Sequence, residues 1–183
     1  MNTIRRLGIG FSCVVSLFTV AVGTAYGADT KEEKIELAMS AGPAQVSENA
    51  TIMDMDGTIL REGSNGWTCM PSISPELEVP MCSDATWMAV LDAVGNKAPF
   101  ETTKVGISYM LGGDAPTNNE DPFDTTQDPG ESWVTEGPHL MIIAPHPEET
   151  LEGMSNDPNV GGPYIMWKNT PYAHIMVPLG PRE

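Results

Sequence analysis

The sequence predicts a single α+β domain with a mainly antiparallel sheet, about three short helices and one disulfide. Only a few segments carry apolar residues at helical spacing, whereas six or seven short apolar runs have the length of strands. Proline, glycine and asparagine separate these runs, and helices do not alternate regularly with strands as they do in a parallel sheet. Residues 28–183 have the length of one ordinary domain, which is enough to bury a core.

The N-terminus has the pattern of a secretory signal peptide. Arg5 and Arg6 precede the apolar run Leu7–Val22, and small residues lead up to Gly27. We expect cleavage after Gly27, which removes residues 1–27 and gives a periplasmic or secreted protein. The arginine pair leaves both general export and the twin-arginine pathway open. No other stretch approaches the roughly 20 apolar residues that span a bilayer, so we expect no transmembrane segment in the mature chain.

The composition is strongly acidic: the chain has 25 Asp and Glu residues and 9 Lys and Arg residues, which gives a formal net charge of −16. All of the acidic residues follow the predicted cleavage site. A negative field of this size repels nucleic acid and anionic membrane surfaces, so neither is an expected partner. It attracts cationic partners and keeps an exported protein in solution.

Two cysteines, Cys69 and Cys82, remain after the predicted cleavage. An even pair in an oxidising compartment predicts a disulfide. A redox-active or metal-binding dithiol is the alternative, but there is no Cys-x-x-Cys motif and no histidine between the two residues. We expect Trp67 and Trp87 to pack against the bridge from both sides.

The first half of the chain has two predicted helices and three predicted strands. The helices are Asp29–Ser40, which has an acidic first turn and ends before Gly42-Pro43, and Ser83–Gly95, which has a capping residue at its start and glycine at its end. Asn65-Gly66 lies between apolar runs and predicts a hairpin. The strands are Thr51–Met55, Thr58–Glu62 and Trp67–Met70.

The second half alternates strands with proline-rich connections. Gly112–Glu131 is rich in Asp, Asn, Pro and Gly and predicts a long exposed loop. Leu140–Ile143 is apolar at every position, which is typical of a strand that is covered on both faces. A short helix is predicted over Pro147–Met154, and strands over Val105–Leu111, Ser132–Thr135, His139–Ala144, Tyr164–Lys168 and His174–Leu179.

The string Asp54-Met55-Asp56-Gly57-Thr58 resembles the first motif of haloacid dehalogenase-like phosphatases. The resemblance implies a magnesium-dependent phosphatase in which Asp54 is the nucleophile and Asp56 the general acid and base. Lys104 and Asp114 are the available candidates for its other groups. The polar residues before Thr51 do not extend the strand that would deliver such a nucleophile, so an acidic tight turn between two short strands is the alternative.

Two short strings, His139-Leu140-Met141 and His174-Ile175-Met176, each carry a histidine and a methionine two residues apart. Alternate residues of a strand share a face, so neighbouring strands would combine two imidazoles with two thioethers. That ligand set suits Cu(I). The segment around His139 also resembles the His-x-Met segment of periplasmic cupredoxin-like copper chaperones. Core packing by methionine is the alternative.

Several longer strings together resemble a family of small exported bacterial proteins of unassigned function. They are Gly66–Pro71, Gly106–Leu111, Gly137–Met141 and Pro163–Pro178. The resemblance brings no catalytic residue and no cofactor. We therefore expect an exported acidic binding protein of unknown ligand that is not an enzyme. Its binding surface would be formed by His139, Met141, Trp167, His174 and the loop Gly112–Glu131, which we call the acidic loop, with Cu(I) as the most specific candidate ligand.

Overall fold

The computed structural model describes residues 30–74 and 77–182 and confirms the predicted α+β class, with a mainly antiparallel sheet and a Cys69–Cys82 disulfide. The predicted signal peptide lies outside the described residues. The described helices are α1 (Lys31–Ser40), α2 (Ala44–Ser47), α3 (Ala85–Gly95) and α4 (Pro147–Thr150). The strands are β1 (Thr51–Met53), β2 (Ile59–Arg61), β3 (Trp67–Met70), β4 (Met81–Asp84), β5 (Gly106–Met110), β6 (Thr117–Asn118), β7 (Trp133–Val134), β8 (His139–Ile143), β9 (Tyr164–Met166) and β10 (His174–Pro178).

Eight strands form one sheet in the order β2-β1-β3-β4-β5-β8-β10-β9, and β6 pairs with β7 in a small second sheet. All the pairings are antiparallel except that between β1 and β3. The C-terminal strand β10 therefore lies inside the sheet, between β8 and β9. None of the described helices is both long enough and apolar enough to cross a membrane.

The large sheet is covered differently on its two faces. Neighbouring residues of β4, Met81 and Cys82, belong to two different core clusters, so those clusters lie on opposite faces. The cystine face carries Cys69 and Cys82 under α1, with alanine side chains filling the space between helix and sheet. The opposite face, which we call the methionine face, packs against α3 through Trp87 and carries most of the buried methionines.

The disulfide joins residues that lie directly opposite each other in the antiparallel pair β3 and β4. Trp67, two residues before Cys69, packs against this cluster as predicted. The prediction for Trp87 is wrong, because Trp87 belongs to the cluster of the methionine face and is separated from the disulfide by the sheet. Trp67 and Trp87 therefore lie on opposite faces of the sheet.

Helix α3 begins two residues later than predicted, because Ser83 and Asp84 belong to strand β4, which the sequence analysis missed. Ser83 is buried and its hydroxyl bonds Ser108 on β5 at 2.7 Å. Asp84 is the N-cap of the helix: its carboxylate accepts from the Trp87 N–H and also from the Ile107 N–H of β5. One side chain thus starts the helix and fixes it to the sheet.

Four other local predictions are corrected. Asn65-Gly66 does not make a hairpin, because β1 lies between β2 and β3. The predicted loop Gly112–Glu131 contains strand β6 and two buried residues, Asn118 and Asn119, so it is only partly exposed. Strand β8 is fully buried on one face and half-buried on the other, and α4 ends at Thr150, four residues before the predicted end.

Candidate functional site

The structure brings the four predicted metal-ligand candidates onto one face of two neighbouring strands. β8 and β10 are antiparallel neighbours, and Met141 lies directly opposite Met176. His139 and His174 each precede their methionine by two residues, so they lie on the same face at opposite ends of the methionine pair. We call these four residues, His139, Met141, Met176 and His174, the histidine–methionine row.

The row is part of the core, so the prediction that His139, Met141 and His174 contribute to a binding surface is wrong. The exposed fractions are 0% for His139 and Met176, 1% for His174 and 5% for Met141. The reason is the sheet order: β8 and β10 are interior strands, and the face that carries the row packs against α3. Trp167 is half-buried, and its N–H groups donate to the carbonyls of Asn118 and Asn119 in the acidic loop.

The two histidines have the same hydrogen-bonding arrangement. Nδ1 of His139 lies 2.8 Å from the Gly137 carbonyl oxygen, and Nδ1 of His174 lies 2.9 Å from the Tyr172 carbonyl oxygen. A carbonyl only accepts, so each Nδ1 donates and each neutral imidazole keeps its lone pair on Nε2. Neither Nε2 atom has a hydrogen-bond partner, although both are fully buried. Histidines that ligate metals commonly have their second nitrogen held by a backbone carbonyl in this way.

His174 is held neutral by its surroundings. Trp87 and Trp167 both lie edge-on to its ring, with centroid distances of 5.1 Å and 5.0 Å. The pKa of His174 is lowered to about 4, mainly by burial; the hydrogen bond to the Tyr172 carbonyl acts in the opposite direction, and the nearby His139 contributes to the lowering. At neutral pH the imidazole is therefore in the form that binds metal ions.

Two further methionines face the histidines, and sequence reasoning did not select them. Met110 on β5 lies opposite His139, and Met166 on β9 lies opposite His174. Both methionines are buried. The predicted strands contained both residues, but the order of strands in a sheet is not readable from strand positions alone. Each imidazole is thus flanked by a methionine on its own strand and another across the sheet.

Near His139 lies a buried acidic group that the sequence also did not reveal. Glu136 is 3% exposed; its Oε1 accepts from the Tyr164 hydroxyl at 2.9 Å and pairs with the Arg182 guanidinium, whereas its Oε2 has no partner. Burial raises the pKa of Asp114, and the neighbouring Glu136 charge adds to this effect while His139 opposes it. The His139 end of the row is therefore next to two carboxyl groups.

The Asp54 and Asp56 pair lies elsewhere, in a tight turn between the antiparallel strands β1 and β2, as the alternative interpretation predicts. Asp54 forms an ion pair of 2.5 Å with Lys34 on α1. Asp56 is exposed and accepts from the Thr58 N–H, and hydrogen bonds from Thr58 lower the pKa of the Asp56 carboxyl. Both carboxylates have partners that hold the turn.

Within residues 30–74 and 77–182, no group of three or more His, Cys, Asp or Glu side chains is arranged to hold a metal ion. Comparisons with protein-family models, curated proteins and solved structures gave no significant match. The family resemblances accordingly remain predictions, and the functional argument depends on the site itself.

Proposed function

We propose that this chain is an exported, acidic, non-catalytic binding protein that holds a soft metal ion, Cu(I), at the histidine–methionine row. One observation carries the proposal: two fully buried Nε2 atoms without partners lie at the two ends of the Met141–Met176 pair. Their lone pairs and the thioether sulfurs are the only donors that the row offers.

The two unpartnered nitrogen atoms make the row energetically unfavourable in the absence of a ligand. Leaving a buried acceptor without a hydrogen bond costs about 1–3 kcal/mol, so two such atoms are a substantial loss for one domain. A metal ion that accepts an electron pair from such an atom removes the loss at that atom. Because each ring donates through Nδ1, the neutral form of each imidazole presents its lone pair on Nε2, where a metal ion can bind.

The donor set selects the kind of metal ion. Thioether sulfur is a soft ligand that favours Cu(I), whereas Mg²⁺ and Ca²⁺ require oxygen ligands. The net charge of −16 also attracts a cation to the protein surface. The magnesium-dependent phosphatase at Asp54 and Asp56 is not proposed, because no described feature of that turn favours it over a structural role.

Cu(I) titration against a chromophoric competing chelator tests the proposal, under anaerobic conditions that keep the copper as Cu(I) and without thiol reductants, so that the disulfide stays intact. We expect one Cu(I) per chain, and at least a tenfold loss of affinity in His139→Leu and in His174→Leu. Met141→Leu and Met176→Leu conserve the volume of the side chain and should weaken binding while the fold persists. The control variants are His146→Leu and Met55→Leu, because both of these residues are exposed.

Two results would contradict the proposal. One is the absence of stoichiometric Cu(I) binding by the correctly folded, oxidised protein, which would leave buried water as the partner of the two Nε2 atoms. The other is equal loss of affinity in the row variants and in the two control variants, which would place the ion at scattered surface groups.

A further inference from the structure

A groove opens where β8 leaves the sheet, and none of the residues that line it belongs to the histidine–methionine row. It lies between the segments 99–104, 143–149 and 169–171 and has a volume of about 1000 Å³. A second pocket of about 550 Å³ adjoins it. The two share the wall formed by Pro99, Asn169, Thr170 and Pro171. We refer to both parts together as the groove.

The floor of the groove is apolar and built on the core. Ile143 is 1% exposed and Ala144 is 6% exposed; they lie at the end of the central strand β8 and the start of the connection that follows it. Phe100 packs against the core cluster of the methionine face. In the second pocket, Phe123 is exposed and Tyr172 meets it edge-on at 5.9 Å. The groove therefore offers apolar surface on a rigid support.

Several non-glycine residues in the walls of the groove have a left-handed backbone conformation. Four non-glycine residues in the described chain have positive φ, and three of them line the groove: Lys97 at 52°, His146 at 48° and Asn169 at 67°. The left-handed conformation costs about 1–2 kcal/mol for an ordinary residue, although asparagine tolerates it. Such residues concentrate in ligand-binding segments. The walls are thus held in a shape that the local sequence does not favour.

The rim of the groove is negatively charged. Five carboxylates line it, against two lysines, Lys97 and Lys104, and the side chain of Lys97 lies over the Phe123 ring at 4.9 Å. None of the five carboxylates forms an ion pair with any residue of the described chain. They are Glu101, Glu120, Asp121, Glu148 and Glu149. Uncompensated charge around an apolar floor is complementary to a ligand that is both cationic and apolar.

We propose that the groove binds an extended, basic segment of another polypeptide, with Lys or Arg side chains at the rim and an apolar side chain on the floor. The two pockets together exceed the roughly 300–1,000 Å³ of a small-molecule site, which favours a polypeptide over a small cation. An extended chain also directs alternate side chains to the same side, as a charged rim and an apolar floor require. This site is independent of the Cu(I) proposal.

Fluorescence anisotropy with a labelled peptide of alternating lysine and leucine tests this inference, at low and at physiological ionic strength. We expect saturable one-to-one binding that weakens at least fivefold in the double variant Glu148→Gln with Glu149→Gln. The matched control is Glu32→Gln with Glu36→Gln, which removes the same charge from exposed positions of α1 and should change affinity less than twofold. A peptide of alternating glutamate and leucine should not bind.

Circular dichroism and thermal unfolding confirm that the variants are folded. Equal weakening by the two double variants would overturn the proposal, since it would show diffuse attraction to an acidic protein. Absence of saturable binding would also overturn it. Complete displacement of the peptide by equimolar spermine would show that the groove accepts a small polyamine and not a polypeptide segment. Cu(I) stoichiometry should be the same in all variants.

Discussion

The two faces of the large sheet differ in how completely their polar atoms are partnered. On the cystine face, alanine, isoleucine and the Cys69–Cys82 disulfide pack under α1, and this cluster includes none of the unpartnered buried side-chain atoms found in the described residues. The methionine face buries His139, His174 and Trp87, each with a ring nitrogen that has no partner. The hydrophobic cluster of the cystine face therefore contains no unpartnered polar atom, whereas the methionine face has buried donors and acceptors that lack a hydrogen-bond partner.

The Asp54–Thr58 string and the two His-x-Met strings also differ in whether their polar side-chain atoms have hydrogen-bond partners. The aspartates of the Asp54–Thr58 turn are bonded to Lys34 and to the backbone, so the turn is satisfied by its own residues. The His-x-Met strings look weaker in the sequence, yet their Nε2 atoms are the unsatisfied ones. The presence of unmet hydrogen-bonding capacity is therefore the better guide to a binding site here.

The largest expected effect is on the cystine face. Replacing both cysteines, Cys69→Ala with Cys82→Ala, should reduce the free energy of unfolding by about 3 kcal/mol, because the bridge closes a short loop in the unfolded chain. Urea unfolding followed by tryptophan fluorescence measures this change. Cu(I) affinity of the folded variant should stay within twofold of the parent. A tenfold loss of that affinity would show that the two faces do not act separately.

On the methionine face, His174 makes stability depend on pH. Its pKa is about 4 in the folded protein and 6.5 as a free side chain, so the unfolded chain binds more protons between these values. The contribution is complete above pH 6.5 and is lost as the pH falls toward 4. By pH 5 the loss should be about 2 kcal/mol relative to pH 7.

The measurement for His174 is urea unfolding at a series of pH values for the parent, His174→Gln and the exposed-histidine control His146→Gln. The difference between the parent and His174→Gln should change with pH by the stated amount, and His146→Gln should follow the parent. Identical pH profiles for the parent and His174→Gln would show that His174 is not buried in its neutral form.

An effect of similar size is expected at the buried carboxylate near the row. Arg182→Met leaves Glu136 without its cation, and the loss of charge-assisted hydrogen bonds should cost about 2 kcal/mol. Adding Glu136→Gln removes the buried charge and should recover part of the loss. A double-mutant cycle in urea measures the coupling. Strictly additive effects of the two substitutions would contradict the described pairing.

The smallest effect is expected at the satisfied turn. Asp54→Asn removes a partly exposed ion pair with Lys34 and should cost less than about 1 kcal/mol. It should leave Cu(I) affinity unchanged. Thermal unfolding and the Cu(I) titration check both parts, and a large loss in either would show that the turn has a role beyond holding β1 and β2 together.

Local patterns in the sequence predicted much of the architecture. The fold class, the disulfide, most of α3 and the Asp54–Thr58 turn depend on spacing and turn chemistry, which are local properties of the sequence. Strand β4 was missed because Ser83 and Asp84 look like the start of a helix, and only pairing with β3 and β5 makes them a strand.

The site was predicted in composition but not in position. Spacing placed His139 beside Met141 and His174 beside Met176, but only strand order could place the two pairs together and bury them. The opposing Met110 and Met166 depend on register for the same reason. No sequence pattern predicted the burial of Glu136, because nothing distinguishes it from the many other glutamates of the chain.

Nitrogen NMR of the two buried imidazoles tests the central claim most directly. Long-range proton–nitrogen spectra distinguish the protonated from the unprotonated ring nitrogen of His139 and His174. We predict that Nδ1 carries the proton in both rings, with both Nε2 resonances shifting when one equivalent of Cu(I) is added while those of His146 do not. Nε2-protonated rings, or Nε2 resonances that stay unchanged with Cu(I), would contradict the account.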